Sequence, residues 1–255
     1  RSTTVTGVQT CALPISSTDF LAAEIDAVFE DIRPDAVKIG MAASTALIRT
    51  IADRLRAHRG ENIVLDPVMV ATSGARLLKE DAIAALKSEL FPLATVITPN
   101  LPELALLSND TLQSREERVA AARKLSETWG CAILAKGGHA ADADACDDIL
   151  VADGTVTVFP GARIDTPNTH GTGCTLSSAI AANLAKGFPL ADAIARAKAY
   201  VTGALAADLT MGHGCGPLHH GFDLQSSFLT APMDSTTLEN ASTGQRPLQG
   251  SEQSF

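Results

Sequence analysis

The 255-residue sequence predicts an α/β fold, a three-layer α/β/α sandwich on a mostly parallel sheet with an antiparallel edge hairpin. Three observations predict it. Short β-branched runs alternate with longer Ala/Leu-rich runs of helical period, the order expected when helices connect parallel strands. The strand runs are apolar throughout, as strands covered on both faces are. Finally, Asp153-Gly154 separates Ile149–Ala152 from Thr155–Phe159, a strong hairpin signal.

The elements follow in order. Thr18 is placed to cap a helix from about Asp19 whose core face carries Leu21, Ile25, Val28, Phe29 and Ile32. A strand follows over Asp35–Gly40, then a helix capped by Ser44 and ended by Gly60. Further strands are expected over Ile63–Val68, residues 95–98 and Cys131–Ala135, with helices over 80–90 and 114–129 between them. After the hairpin, two helices near 172–186 and 190–210 close the body.

A hydrophobic content of 45% is ample for one core, and no linker divides the chain before its tail. A net charge of −9 argues against nucleic acid or an anionic membrane as partner. No apolar run approaches the roughly 20 residues that span a bilayer, and no secretory signal is visible, so a cytoplasmic protein is expected. Cys11, Cys131, Cys146, Cys174 and Cys215 include no CxxC pair and read mostly as small buried thiols in a reducing compartment. Residues 1–17 lack a clean period and read as an atypical, foreign or junction segment; residues 18–225 are expected to form the folded domain; residues 226–255 are polar and expected to be disordered.

In open α/β sheets ligands bind beyond the carboxyl ends of the strands. Gly40-Met41, Asp66-Pro67, Thr98-Pro99-Asn100 and Lys136-Gly137-Gly138 all fall there. The most informative segment is Asp165–Thr175, directly before an Ala-rich helix. Its glycines and hydroxyl residues expose consecutive N–H groups at a helix start, which makes an anion site suited to a phosphoryl group in transfer. Cys174 stands in the first turn, where the helix dipole favours a thiolate able to accept a proton. The bland alternative is a tight turn with Cys174 packed in the core. Asp66 is placed to hold a metal-bound water or to cap a turn. His170 reads as a loop-ordering residue, and His219-His220 lacks a third metal ligand nearby.

The run Asn168-Thr169-His170-Gly171-Thr172-Gly173-Cys174-Thr175-Leu176-Ser177-Ser178-Ala179 resembles the hallmark of the hydroxymethylpyrimidine/phosphomethylpyrimidine kinases of thiamine biosynthesis, in the ribokinase superfamily. Most ribokinase relatives carry an acidic residue where Cys174 stands; the pyrimidine kinases carry cysteine. Lys38-Ile39-Gly40-Met41, Leu65-Asp66-Pro67-Val68-Met69, Thr98–Glu103, Lys136-Gly137-Gly138-His139 and Gly212–His220 agree in the same order, over roughly residues 18 to 222.

The resemblance implies a ribokinase-like fold and an ATP-dependent transferase that phosphorylates 4-amino-5-hydroxymethyl-2-methylpyrimidine and then its monophosphate. It implies Cys174 as the base beside the substrate, and Gly171, Thr172 and Gly173 as the anion hole that also meets ATP. Lys136 would pair with nucleotide phosphates, Asn100 and Glu103 would position Mg²⁺ through waters, and Met41 and Val68 would line the pyrimidine pocket. A homodimer is suggested. The family's opening strand, its Gly-rich substrate loop and its lid glutamine have no counterpart here, so first strands are expected to be absent and turnover low. Two other readings stay open: a pyridoxal/pyridoxine kinase, and a non-catalytic pyrimidine-sensing domain, against which the intact Cys174 and Glu103 argue.

Overall fold

The computed structural model describes residues 17–70, 76–138, 146–209 and 214–225. The expected junction up to residue 16, the polar tail, Cys11, His139, Gly212 and His213 therefore lie outside the described residues. The chain divides into two units, Arg1–His220 and Gly221–Phe255. The described part of the second is a short turn in which the Leu224 N–H donates to the Gly221 carbonyl at 3.2 Å.

The first unit holds a six-stranded sheet in the order β1 (Val37–Ile39), β2 (Ile63–Leu65), β3 (Val96–Ile97), β4 (Ala132–Ala135), β5 (Asp148–Ala152) and β6 (Thr155–Phe159). The first four strands are parallel; β4–β5 and β5–β6 are antiparallel. The hairpin turns where expected, with Asp153 and Gly154 both left-handed (φ 48° and 73°), the pair of angles a two-residue turn requires. The four parallel strands are shorter than the apolar runs that announce them, whereas β6 matches its run and β5 begins one residue earlier.

Strand order advances in one direction, so right-handed crossovers must place every connecting helix on one face. Those helices are α2 (Thr45–Ala57), α3 (Glu80–Ala85), α4 (Leu101–Ser108) and α5 (Arg115–Trp129). Ile48, Leu55, Ile83, Leu104 and Leu125 meet Ile39, Leu65, Ile97, Ile133 and Val151 in one core. The opposite face, with Val64, Val96 and Leu134, is left for α6 (Thr172–Ala185) and α7 (Leu190–Ala206), which pack on each other; α6 also lies on β1 and β2.

Several expectations shift. Ser17, not Thr18, caps α1 (Thr18–Asp31) by accepting the Phe20 N–H at 3.2 Å. Leu21, Ile25 and Phe29 are half-buried against the rest of the molecule, but Val28 and Ile32 point outward at 53% and 73% exposure. The stretch 80–90 is α-helical only to Ala85, then widens to a π turn over Leu86–Leu90 and a 3₁₀ turn at Phe91–Leu93. Pro92, which has no N–H to give, stands where the helix would have continued. Helix α4 went unannounced, although Asn100-x-x-Glu103 is a capping box that signals it. Of the four cysteines described, Cys131 is buried and Cys146 half-buried, whereas Cys174 and Cys215 are exposed rather than core thiols. Burial pushes the Cys131 thiol up to about 12.

Candidate active site

The carboxyl ends of β1 to β4 converge beneath the start of α6. Asp66 follows β2, its N–H held by the Ile39 carbonyl at 2.9 Å, and Thr98 follows β3, its N–H on the Leu65 carbonyl at 2.9 Å. Lys136 follows β4 and donates its N–H to the Pro99 carbonyl at 2.9 Å. This register puts three polar side chains together: Asp66 Oδ1 takes the Lys136 ammonium at 2.7 Å and the Thr98 hydroxyl at 3.3 Å. The ion pair is shielded from water, with side-chain exposures of 13% for Lys136 and 3% for Asp66. Of the two sequence readings of Asp66, neither foresaw this partner.

Gly171 stands at the N-cap of helix α6, and its φ of 84° is a conformation glycine adopts without strain. Gly171 has no side chain to cap the helix, so the first-turn N–H groups of Gly173 and Cys174 lack an intrahelical acceptor. The Thr172 hydroxyl donates to the Thr169 carbonyl at 2.6 Å, and the Thr175 hydroxyl to the Gly171 carbonyl at 2.8 Å, which fixes the turn. A Cβ on Gly173 would stand 3.3 Å from Lys136 Nζ and 3.6 Å from Asp66 Oδ2, so the turn backs directly onto the buried ion pair. Cys174 is exposed, not packed in the core.

Two braces hold this turn. The His170 N–H donates to the Gly216 carbonyl at 3.3 Å, while Asn168 is buried against Gly216, where any Cβ would collide with its side-chain amide. Asn168 in turn donates from Nδ2 to Asp208 at 2.9 Å. His170 orders the loop through its backbone. His219 and His220 use their backbone groups to meet α7, and among the described residues no three or more His, Cys, Asp or Glu are grouped so that they could hold a metal ion.

Asn100 and Glu103 satisfy each other across the first turn of α4. Asn100 Oδ1 accepts the Glu103 N–H at 2.9 Å, and Glu103 Oε2 accepts the Asn100 N–H at 2.8 Å. Glu103 is 2% exposed. Burial, assisted by the negative charge of Asp66, pushes its carboxyl up to about 7, against the pull of Lys136 and of the Asn100 and Met69 backbone. Met41 stands 36% exposed just beyond β1, and Val68 is half-buried just beyond β2, so both share the end of the sheet where the ion pair lies.

Residues 3–219 match the family described as phosphomethylpyrimidine kinase. The chain belongs to that family. A hydroxymethylpyrimidine/phosphomethylpyrimidine kinase of Rhizobium meliloti is 50% identical over 207 residues, which are 80% of this chain and 77% of that one. The crystal structure of a phosphomethylpyrimidine kinase from Clostridium difficile superposes with a TM-score of 0.67 at 35% identity, covering 74% of this chain and 77% of the other. The ADP complex of a Bacillus subtilis pyridoxal kinase superposes with a TM-score of 0.75 at 34% identity, covering 81% and 78%. The ribokinase-like α/β fold implied by the resemblance is thus the fold of this kinase family. Among the described residues no helix is long and apolar enough to cross a membrane.

The residues that sequence reasoning missed are charged ones in apolar company. Lys198 lies on the same stripe of α7 as the buried Ile194 and Val201, and Asp148 opens the otherwise apolar β5. A charge on a core-facing stripe is the signal that could have found them, because such a charge needs a buried partner.

Proposed function

We propose that this protein is a cytoplasmic, ATP-dependent kinase that phosphorylates 4-amino-5-hydroxymethyl-2-methylpyrimidine and then its monophosphate, two steps toward thiamine. The observation that carries the reading is the seating of the Gly171–Cys174 turn on the Lys136–Asp66 ion pair, with exposed Cys174 at its rim. Family membership and the R. meliloti kinase support the substrate; the ADP held by the pyridoxal kinase supports the nucleotide.

In this reading the anion turn receives the γ-phosphoryl group, and Lys136 leaves Asp66 to meet the nucleotide's phosphates. The Cys174 sulfur takes the proton from the hydroxymethyl oxygen as that oxygen bonds to the γ-phosphorus and the bond to ADP breaks. In the second step an oxygen of the substrate phosphate attacks instead. N–H dipoles already aimed at the transferring group need no reorganisation during reaction.

The residues present fit a hydrated Mg²⁺. Asp66 and Glu103 are both buried, and repulsion between them helps raise Glu103, a conflict that a divalent cation relieves. A site with few protein carboxylates suits Mg²⁺, which keeps its waters and takes phosphate oxygens. Glu103 and Asp66 would hold it; Asn100, whose side-chain oxygen is committed to α4, would steady Glu103. Bound there, the ion would neutralise charge on the transferring phosphate.

The pyridoxal kinase likeness favours a second reading, phosphorylation of pyridoxal. Coupled ADP release with hydroxymethylpyrimidine, its monophosphate and pyridoxal in parallel tests both. Turnover on the pyrimidines at least about tenfold above pyridoxal supports the first reading. The reverse order overturns it, and nucleotide binding with no turnover on any of the three substrates favours a sensing domain.

A further inference from the structure

The loop that carries Lys136 is held by a second buried ion pair that the kinase reading does not use. Asp148 Oδ2 meets the Lys198 ammonium at 2.7 Å, and Asp148 Oδ1 accepts the Gly137 N–H at 2.8 Å. Lys198 also donates to the Cys146 carbonyl at 3.0 Å. The pair is nearly as shielded as the one in the site, with side-chain exposures of 15% for Lys198 and 10% for Asp148.

Its position matters because of register. β4 and β5 run antiparallel with Ala135 opposite Ile149, so one step further Lys136 comes opposite Asp148. Directly opposed side chains on one face of an antiparallel pair have their Cβ atoms about 5 Å apart. Lys136 therefore has a buried carboxylate on each side, Asp66 toward the anion turn and Asp148 away from it. A buried carboxylate without a partner is costly, so whichever acid is unpaired draws the nearest ammonium. Lys198 takes Asp148 out of this competition, and Lys136 goes to Asp66, beneath Gly173.

We propose that Lys198 is a positioning residue: by neutralising Asp148 it directs Lys136 toward the phosphate site. Gly137 belongs to the same device. Its Cβ would collide with the Asp147 carbonyl, so the loop passes close enough for its N–H to reach Asp148 only with glycine there. The proposal rests on the reading of Lys136 as a nucleotide-phosphate ligand.

The test is a charge-cancellation series on the full chain, read as the dissociation constant for AMP-PCP by calorimetry, with thermal unfolding of each variant alongside. Lys198→Met leaves Asp148 charged and free to capture Lys136, so affinity should fall about tenfold. Lys198→Met combined with Asp148→Asn removes the competitor, so affinity should return to within about threefold of the native value. Asp148→Asn alone should keep affinity within the same range, because the amide oxygen still accepts from Gly137. A merely structural pair predicts the opposite pattern, with loss in all three variants. If Lys198→Met does not fold, Asp148→Asn alone decides: affinity retained supports the proposal and a loss of about tenfold overturns it. Failure of the kinase reading shows separately, as native protein that binds AMP-PCP but transfers no phosphate.

Discussion

Around β4, three buried acids have partners and little water: Asp66 with Lys136, Asp148 with Lys198, and Glu103 locked into the cap of α4. Around β1, the strand is mostly half-buried, α1 buries no residue fully, and Phe20, Val28, Ile32 and Met41 remain exposed. In shielded surroundings electrostatic interactions are strong, so a wrongly placed charge is expensive and a rightly placed one is held firmly. The groups that would handle phosphate lie in the first region. Met41, expected to meet the pyrimidine ring, lies in the second, where packing contributes less and chemistry depends on shape.

The largest expected effect belongs to the rim of the shielded region. Cys174→Ala should lower kcat for hydroxymethylpyrimidine by about 10² to 10⁴ while AMP-PCP still binds, because the proton acceptor is lost and the N–H groups of the anion turn remain. Stopped ADP release beside unchanged calorimetric affinity is the expected pair of results. A variant that turns over at the native rate would show that proton transfer does not need the thiol.

How much of this was legible depends on how local each signal is. Ser44 caps its helix as the sequence implies, because a cap involves a residue and the N–H three places on. The Asp153-Gly154 turn was readable for the same reason. The tight turn that opens α6 was legible as well, since two glycines and a threonine before an apolar helix are a local pattern. By contrast, Asp66 and Lys136 are 70 residues apart and Asp148 and Lys198 are 50 apart. Nothing in either neighbourhood names the partner; only strand register brings them together. The outward turn of Val28 and Ile32 was hidden too, because helical period says which residues share a face but not how much of the face is covered.

Packing gives the next comparison. Ile180, on the buried side of α6 at 0% exposure, should cost about 3 kcal/mol when changed to Ala, whereas Ile32, at 73% exposure, should cost less than about 0.5 kcal/mol. Urea unfolding midpoints with unchanged slope measure both. Equal costs would mean that the α1 surface is covered in solution, and the contrast between the two regions would disappear.

The smallest effect sharpens the electrostatic side of the contrast and is visible only as a function of pH. The Glu103 carboxyl, ordinarily near 4.5, is pushed up to about 7 in the fold. Below about pH 4.5 it is protonated in folded and unfolded chains alike, and no penalty arises. Above about 7 the folded chain must bury the charge while the unfolded chain carries it in water. Stability from this group is therefore lost as pH rises from about 4.5 to 7, by at most about 3 kcal/mol. Glu103→Gln keeps an oxygen to accept the Asn100 N–H and removes the titration, so its stability relative to the native chain should rise across that window. Chemical unfolding at pH 5 and pH 8 measures the difference. A constant difference between the two proteins would mean that Glu103 holds its charge at no cost, and the shielding that sets the surroundings of β4 apart from those of β1 would not extend to α4.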